Sequence, residues 1–319
     1  MIWIILGIAI LFSLPLLLLA LLVGLHLYLR WKYIDNIDRI FLEKPLFIIP
    51  RGQPDSTAED VMLPTTDGLK LRGCYMNSTA PMRKGVILFG LEFGSNRWAA
   101  GPYSECLRDA GYDVFAYEPR NQGESDKQEG FEPLQWVTDR EVGDCKAALD
   151  YLKKRSDAPP RFGLYGFSKG ANAGLLVAAH DPAICCAATD GAFATYTVMV
   201  AYMRYWFAIY NSRYALHGLL NPWYYGRIAV VAMNHVGRAN NVSYPSVERA
   251  LQRFRRPFLM IHGGGDTYIK PVMTQTLFEF ARPPKELWIV PEAKHNQALH
   301  VAPDEYKRKL VEFFDRNLA

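Results

Sequence analysis

The segment RFGLYGFSKGANAGLLVAAH, residues 161–180, decides the fold. Its first residues are mostly apolar, as in a buried strand, and its second half is rich in Ala and Leu, as in a helix. Between the two lies GFSKG (166–170), in which Ser168 has a glycine two positions away on each side, Gly166 and Gly170. Such glycines let a strand and a helix approach closely around a sharp turn. The segment therefore predicts a strand, a tight turn that carries Ser168, and a helix.

Strands and helices alternate on both sides of that segment. Apolar runs predict strands at 85–90, 112–119, 161–167, 184–190, 257–263 and 286–291. Helices are predicted around 96–110, at 136–155 and 169–180, and over the closing residues 303–318. An apolar/polar alternation around Asp67-Gly68 predicts a β-hairpin ahead of them. This order predicts an α/β protein with a mostly parallel sheet and helices on both faces.

The composition of the 319 residues excludes several classes of protein. The net charge is only +4, and the sequence contains no Lys/Arg-rich run, so we expect no nucleic-acid partner. The five cysteines are scattered without a Cys-x-x-Cys pair, which favours reduced thiols over a disulfide framework or a zinc site. We therefore expect neither a metal nor an organic cofactor. The sequence contains no signal for a particular oligomeric state.

The first 29 residues differ from the rest of the chain. They contain no formally charged side chain, and only Ser13 and His26 are appreciably polar. About 20 apolar residues cross a bilayer, so the stretch is long enough to do so. A cleaved signal peptide fits less well, because the basic n-region and a small-x-small cleavage site are missing. We expect residues 1–29 to be a single-pass membrane anchor. Arg30 and Lys32 follow it, so the positive-inside rule predicts a cytoplasmic body.

The chain after the anchor is predicted to divide into a linker, a core and a cap. Residues 30–59 form a juxtamembrane linker, in which Ile34, Ile37 and Phe41 have helical spacing. This linker is either a helix along the membrane surface or a short buried helix. Residues 60–190 and 248–319 form the core, and residues 191–247 between two predicted strands are too long for an ordinary crossover. We expect an inserted helical cap there.

The cap has an unusual composition. It contains no Asp or Glu, but it contains four arginines, Arg204, Arg213, Arg227 and Arg238. Its aromatic residues are Tyr202, Tyr205, Trp206, Phe207, Tyr210, Tyr214, Trp223, Tyr224 and Tyr225. Either these aromatic side chains form a small core of the cap, or the cap binds acyl chains or lipid while its arginines meet anionic headgroups.

Polar residues follow three of the predicted strands. Ser168 follows 161–167, Asp266 follows 257–263, and His295 follows 286–291. Ligands of parallel sheets bind at the carboxyl ends of the strands, so we expect these side chains to meet. A serine hydroxyl becomes a nucleophile when an imidazole takes its proton and a carboxylate orients that imidazole. These three residues are therefore candidates for a nucleophile, an acid and a base.

Other residues compete for these roles. Asp190 also ends a predicted strand and is an alternative acid, although we expect it to be a cap hinge or turn residue. His300 is the nearest competitor of His295, and we expect it at the start of the last helix. His262 lies inside a predicted strand and is expected to be a core histidine. Arg120 is expected to be a structural brace near the site.

Residues from about 60 to 319 resemble an α/β-hydrolase-fold serine hydrolase of the esterase or lipase type. The matching segments are the elbow GFSKG, the acid loop GGGDTYIKP, the histidine loop PEAKHN, and YEPRNQGESD, which is similar to the family's Arg-x-x-Gly-x-Ser turn. The chain order of Ser168, Asp266 and His295 is also that of the family. The resemblance implies a catalytic triad of these three residues. It further implies an oxyanion hole made by the backbone N–H groups of Leu91 and Lys169.

One loop departs from the family pattern. The strand at 85–90 usually ends in His-Gly, whereas this chain has Phe89-Gly90 followed by Leu91-Glu92. A side-chain change leaves backbone donors in place, so the oxyanion hole is still expected to form. The carboxylate of Glu92 beside a developing oxyanion is unfavourable unless it points away or is paired.

The resemblance and the anchor together imply a membrane-anchored serine hydrolase that acts on small-molecule or lipid-like carboxylic esters. The same triad also serves peptidases, thioesterases and acyltransferases. A catalytically weak binding module at the membrane is a further alternative, suggested by the missing His-Gly and by Glu92.

Overall fold

An eight-stranded sheet forms the centre of the computed structural model, which describes residues 2–42, 51–210 and 222–319. The strands are β1 (Glu59–Pro64), β2 (Lys70–Met76), β3 (Gly85–Gly90), β4 (Tyr112–Tyr117), β5 (Phe162–Phe167), β6 (Ile184–Asp190), β7 (Phe258–Gly263) and β8 (Lys285–Val290). Their order in the sheet is β1-β2-β4-β3-β5-β6-β7-β8. The hairpin β1–β2 and the pair β2–β4 are antiparallel, and all other pairs are parallel.

Helices cover both faces of this sheet. They are α1 (Ile2–Leu42), α2 (Ala100–Asp109), α3 (Asp139–Lys154), α4 (Ser168–Ala178), α5 (Thr197–Tyr210), α6 (Pro222–Ala239), α7 (Val247–Arg253), α8 (Pro271–Phe280), α9 (Ala298–Val301) and α10 (Pro303–Asn317). Every residue of β3, β4, β5 and β7 is buried, because these strands have helices on either side. The mostly parallel, doubly covered sheet that the sequence predicts is therefore confirmed.

The predicted elements agree with the observed ones to within a few residues, with three differences. The helices α7 and α8 were not predicted. His300 lies in the separate short helix α9 and not at the start of the last helix, which begins at Pro303. The helix after the elbow begins at Ser168 itself, one residue earlier than predicted.

The N-terminal helix α1 is longer than the predicted anchor. It continues from Ile2 to Leu42 with Pro15 inside it, so the first part of the predicted linker belongs to the same helix. Among the described residues, it is the one helix that is long and apolar enough to cross a membrane, over Phe12–Lys32. That stretch is exposed, and a signal sequence near the N-terminus would meet the same criteria of length and apolarity. Ile34 packs against the main hydrophobic cluster. The side chains of Ile37 and Phe41 lie outside the described residues.

The described part of the cap consists of α5 and α6, which pack against each other. Their buried side chains, which include Met199, Met203, Tyr225 and Ile228, belong to the same hydrophobic cluster as the sheet residues around β3 and β5. The cap therefore shares the core of the molecule. Arg227 and Arg238 are exposed on α6. The other two cap arginines and the aromatic side chains of residues 205–210, 214 and 223 lie outside the described residues.

Candidate active site

Ser168 occupies the sharp turn between β5 and α4. Its φ of 46° lies in the left-handed region, where a residue with a side chain is strained. The flanking glycines make the turn possible. A Cβ on Gly166 would lie 2.9 Å from the Cα of Ala171, and one on Gly170 would lie 2.2 Å from the carbonyl oxygen of Leu91. Because neither position has room for a side chain, this turn requires both glycines.

Ser168, His295 and Asp266 meet at the carboxyl end of the sheet. His295 Nε2 lies 3.0 Å from the Oγ of Ser168, and His295 Nδ1 lies 2.6 Å from Oδ2 of Asp266. A carboxylate only accepts hydrogen bonds, so Nδ1 donates to Asp266 and Nε2 is left to accept the hydroxyl proton. The other oxygen of Asp266 accepts the backbone N–H groups of Tyr268 and Ile269, at 2.8 and 2.9 Å. Asp266 is thereby fixed in orientation.

The two expected oxyanion donors lie beside this serine. The N–H of Lys169 is the next one along the chain, in the first turn of α4, where the helix dipole favours negative charge. The backbone of Leu91 packs against the same turn, because a Cβ on Gly170 would lie 2.5 Å from the Leu91 nitrogen. The loop after β3 and the start of α4 therefore adjoin each other around Ser168.

The side chain of Lys169 makes contacts that no local pattern in the sequence indicates. It is buried, with Nζ paired to the Glu141 carboxylate of α3 and donating to the Leu134 carbonyl. The ammonium also lies 5.0 Å from the centroid of the Phe93 ring. Burial lowers the pKa of Lys169, and the adjacent Glu141 opposes that shift. The lysine thus ties the elbow to α3 and to the loop after β3.

Glu92 is paired, so the condition set by the sequence is met. Its side chain is buried, and Oε2 accepts a hydrogen bond of 2.8 Å from Nδ2 of Asn296. Burial raises the pKa of Glu92, and the hydrogen bond from Asn296 opposes that shift. Since Asn296 directly follows His295, this bond joins the loop after β3 to the histidine loop. Asn296 was not predicted as a site residue, and no local signal in the sequence identifies it.

Asp190 does not contact the imidazole. Its Oδ2 accepts a 3.1 Å hydrogen bond from the hydroxyl of Tyr306, which in turn lies 2.9 Å from the hydroxyl of Tyr165. Asp190 is completely buried, and burial raises its pKa to about 7. Of the two candidate acids, Asp266 is the one that is paired with His295.

The remaining candidates lie around the site. His262 is completely buried in β7, donates from Nε2 to the Ile269 carbonyl at 2.7 Å, and has a pKa lowered by burial. His300, on α9, lies near the ring of Tyr103 on α2. Arg120 is a buried brace, with its guanidinium 2.6 Å from Asp144 and 2.6 Å from Asp67.

The cap contacts the acid loop directly. The hydroxyl of Tyr202 on α5 donates to the Tyr268 carbonyl at 2.6 Å. The ring of Tyr268 stands edge-on to the ring of His295, with 5.6 Å between their centroids. One aromatic side chain therefore separates the cap from the imidazole.

A groove of about 390 Å³ lies near the elbow. It is lined by residues from the loop after β3 and from the loops that follow β4, including Phe93, Gln122, Lys127 and Phe131. Phe93 and Gln122 also line the small space beside Leu91 and Lys169. The groove therefore adjoins the backbone donors next to Ser168.

Comparison with known proteins identifies a protein family and several relatives of similar length. The profile of the Alpha/beta hydrolase family matches residues 91–309. The uncharacterized protein YfhR of Escherichia coli (strain K12) is 26% identical over 269 residues, which is 82% of this chain and 82% of that protein. The uncharacterized protein YqkD of Bacillus subtilis (strain 168) is 26% identical over 267 residues, which is 80% of this chain and 78% of that protein.

Solved structures share the architecture. The esterase Pf2001 of Pyrococcus furiosus superposes with a TM-score of 0.63 at 24% identity, covering 87% of this chain and all of that one (100%). The esterase domain of a Rhodothermus marinus protein superposes with a TM-score of 0.55 at 20% identity, covering 82% of this chain and 100% of that domain. At these identities the likeness demonstrates the fold alone. The predicted fold class is confirmed.

Proposed function

The chain belongs to the alpha/beta hydrolase family, and from that premise we propose that it is a serine hydrolase that cleaves carboxylic esters through an acyl-enzyme. The observation that carries the proposal is the position of His295. Its two ring nitrogens contact Ser168 at 3.0 Å and Asp266 at 2.6 Å. This is the arrangement that makes a serine hydroxyl nucleophilic. A module that only binds a ligand has no need of a strained serine hydrogen-bonded to an oriented imidazole.

Each residue has a defined role in the proposed reaction. The Oγ of Ser168 attacks the ester carbonyl carbon while Nε2 of His295 takes the hydroxyl proton. Asp266 holds the imidazole in its tautomer and stabilises the imidazolium. The backbone N–H groups of Leu91 and Lys169 stabilise the oxyanion. The alcohol leaves with the proton from His295, and a water activated by the same nitrogen then attacks the acyl-enzyme and restores Ser168.

Esters are the substrate class that we favour over peptides, thioesters and acyl transfer. Several solved proteins with this fold are named as esterases, among them Pf2001 and the Rhodothermus marinus domain. The groove beside Phe93 offers room for one half of an ester next to the oxyanion donors. The hydrogen bond that Asn296 donates to the Glu92 carboxyl lessens the repulsion between that carboxyl and the oxyanion.

We also propose that α1 is a single-pass anchor that holds the body on the cytoplasmic side of a membrane. The support is the exposed apolar stretch Phe12–Lys32 and the basic residues Arg30 and Lys32 at its end. The protein should stay with the membrane after an alkaline carbonate wash. Protease added outside intact cells should leave the body uncut. Release by carbonate would contradict the anchor, and cleavage would contradict the orientation.

A fluorophosphonate probe tests the enzymatic proposal, because it reacts with activated serines. The detergent-solubilised full chain should be labelled, Ser168→Ala should not be, and the matched variant of an exposed serine, Ser156→Ala, should be labelled like the wild type. A panel of short-chain esters, lysophospholipids, acyl-CoA thioesters and peptides then identifies the bond that is cleaved. If wild type and Ser168→Ala are labelled equally, the proposal is wrong. Preferential cleavage of peptides or thioesters would replace the ester assignment.

A further inference from the structure

The N-terminal helix and the cap lie side by side. Nδ1 of His26 on α1 lies 3.3 Å from the hydroxyl of Tyr224 on α6, and Nδ1 of His235 on α6 lies 2.6 Å from Oδ2 of Asp38 on α1. The two contacts are 12 residues apart along α1 and 11 apart along α6, which is about 18 Å and about 17 Å at the rise of an α-helix. Equal spacing in the same direction means that α6 runs parallel to α1.

This pairing sets the depth of the cap relative to the apolar stretch. His26 lies six residues before Lys32, the last residue of Phe12–Lys32, so Tyr224 is about 9 Å below the end of that stretch. Asp38 lies six residues beyond the same end, about 9 Å above it. If Phe12–Lys32 spans the hydrocarbon, the N-terminal end of α6 therefore dips into the bilayer just below the edge of the hydrocarbon, and its C-terminal end stands in water.

The chemistry of the contacts agrees with this depth. A polar side chain inside an apolar span needs a partner, and Tyr224 provides one for His26. Tyrosine and tryptophan favour the interfacial layer, where α1 exposes Tyr28 and Trp31. The hydrogen-bonded pair of Asp38 and His235 lies at the far end, in the aqueous layer. A hydrogen bond within the apolar span, exposed aromatic side chains near its end and an acidic side chain beyond it thus follow one another in the order that a bilayer surface favours.

The same cap reaches the site. The helix α6 packs against α5. On α5, the hydroxyl of Tyr202 donates a hydrogen bond to the Tyr268 carbonyl, and the ring of Tyr268 lies next to the ring of His295. A chain of contacts therefore connects α6, the cap helix that lies beside the apolar stretch of α1, to the imidazole of His295.

We propose that the enzyme takes its substrate from the bilayer, as an ester whose long acyl or alkyl chain is embedded in the membrane and enters beside the cap. This inference rests on the proposed function, since it names the substrate class of the same site. The contact between α1 and α6 serves to hold the cap at the surface where such an ester resides. Arg227 is exposed one turn after Tyr224, about 4–5 Å below the end of Phe12–Lys32, from where its long side chain reaches the headgroups of anionic lipid.

Position in the membrane is tested without reference to activity. Arg227→Cys and the matched control Asn234→Cys, both at exposed positions of α6, are made in a Cys106→Ser, Cys185→Ser background and labelled with an environment-sensitive fluorophore. The full chain is placed in vesicles of phosphatidylcholine and phosphatidylglycerol that contain a lipid with a nitroxide near the top of its acyl chain, just below the edge of the hydrocarbon. The label at residue 227 should be quenched more strongly than the label at 234. Equal quenching would overturn the inference.

Substrate supply is tested with two umbelliferyl esters, an oleate embedded in those vesicles and a water-soluble butyrate. The variant that removes both hydrogen bonds between the helices, Asp38→Ala with Tyr224→Phe, should hydrolyse the embedded ester about tenfold more slowly and the soluble ester nearly as fast as the wild type. Asn234→Ala on the same helix should change neither rate. An equal loss on both esters, or none on the embedded one, would contradict the inference. Hydrolysis of both esters by Ser168→Ala would instead refute the proposed function.

Discussion

The site at the carboxyl end of the sheet and the cap beside it are held by different kinds of contact. At the site, each predicted residue follows its own strand, and its side chain is fixed by short polar contacts, such as the three that Asp266 accepts. The described cap rests on the body mainly through apolar side chains. Its polar ties include those at the start of α5, where Glu248 accepts two backbone N–H groups, the one at Tyr202, and the two contacts of α6 with α1.

This difference separates the two tasks of the protein as we propose it. Polar contacts are directional, so they hold reacting atoms to a fraction of an ångström. Apolar packing is less directional and allows helices to shift. The proposed chemistry thus has a rigid frame, while the element that meets the substrate is the more adjustable one. Four substitutions test that contrast, beginning with the one of largest expected effect.

Asp266→Asn should lower kcat by about 10³- to 10⁴-fold, because an amide no longer stabilises the imidazolium or its tautomer. The KM for a short-chain ester should change little, since the carboxylate touches no substrate. Steady-state kinetics on the purified full chain measure both. Asp190→Asn is the matched control at the other candidate acid, and its kcat should stay within about tenfold of the wild type. Similar losses in the two variants would show that the pairing with Asp266 is not what sets the rate.

Asp190→Asn should in turn change the stability of the frame. The pKa of Asp190 is raised to about 7 by burial, so between about pH 4 and pH 7 the folded protein keeps a proton that the unfolded chain has lost. The free energy of unfolding of the wild type therefore falls as the pH rises through this window. The side-chain amide of Asp190→Asn has no proton to lose. The free energy of unfolding of this variant should therefore exceed that of the wild type by about 2–4 kcal/mol at pH 8, with little difference at pH 4.

Denaturant unfolding at a series of pH values measures this effect. Asp181→Asn is the control, because Asp181 is paired with Lys153 near the surface and its pKa is lowered. That variant should lose stability at neutral pH. A difference between Asp190→Asn and wild type that is the same at pH 4 and pH 8 would mean that Asp190 does not titrate with folding.

Asn296→Ala should remove the link between the loop after β3 and the histidine loop. It leaves the buried Glu92 carboxyl without its amide donor, which costs about 1–3 kcal/mol. Because the lost bond positions the histidine loop, we expect that energy to appear as a loss in kcat of about 5- to 150-fold. Glu92→Gln keeps a hydrogen-bonding partner for Asn296 and should lose less. Single-turnover rates of acylation distinguish this effect from a change in product release. Equal losses in the two variants would argue against the link.

Tyr202→Phe should have the smallest effect of the four. It removes one hydrogen bond between the cap and the Tyr268 carbonyl, worth about 1 kcal/mol. We expect a few-fold decrease in kcat/KM for bulky esters and an unchanged thermal midpoint. Tyr151→Phe, a tyrosine on α3 far from the cap, is the control. A loss as large as that of Asn296→Ala would show that the cap is held as rigidly as the site.

Local signals in the sequence were sufficient for most of the sheet, and they placed the three candidate site residues after their own strands. Strands such as β3 and β5 are buried along their whole length, so they appear as continuous apolar runs. Ser168, Asp266 and His295 were predicted because each follows such a run. The hairpin was predicted from Asp67-Gly68, which supplies the positive φ of its turn.

Contacts between distant parts of the chain were not predictable in this way. Glu92 and Asn296 are 204 residues apart, and His26 and Tyr224 are 198 apart. Nothing in the immediate neighbourhood of either residue in a pair indicates its partner, because the partner is determined by how the elements pack. The interpretation of 30–59 as a separate linker has the same origin. The apolar stretch ends near residue 29 in the sequence. The helix α1 nevertheless continues to Leu42, and it packs against α6.

The strained turn at Ser168 has a consequence for anyone who improves this protein by selection. A residue with a side chain at φ 46° is held against its preference, and glycine is not. Ser168→Gly should raise the thermal midpoint by about 2–4 °C while abolishing turnover. A library screened for heat resistance alone would therefore enrich dead enzymes at this position. Thermostability and activity have to be selected together.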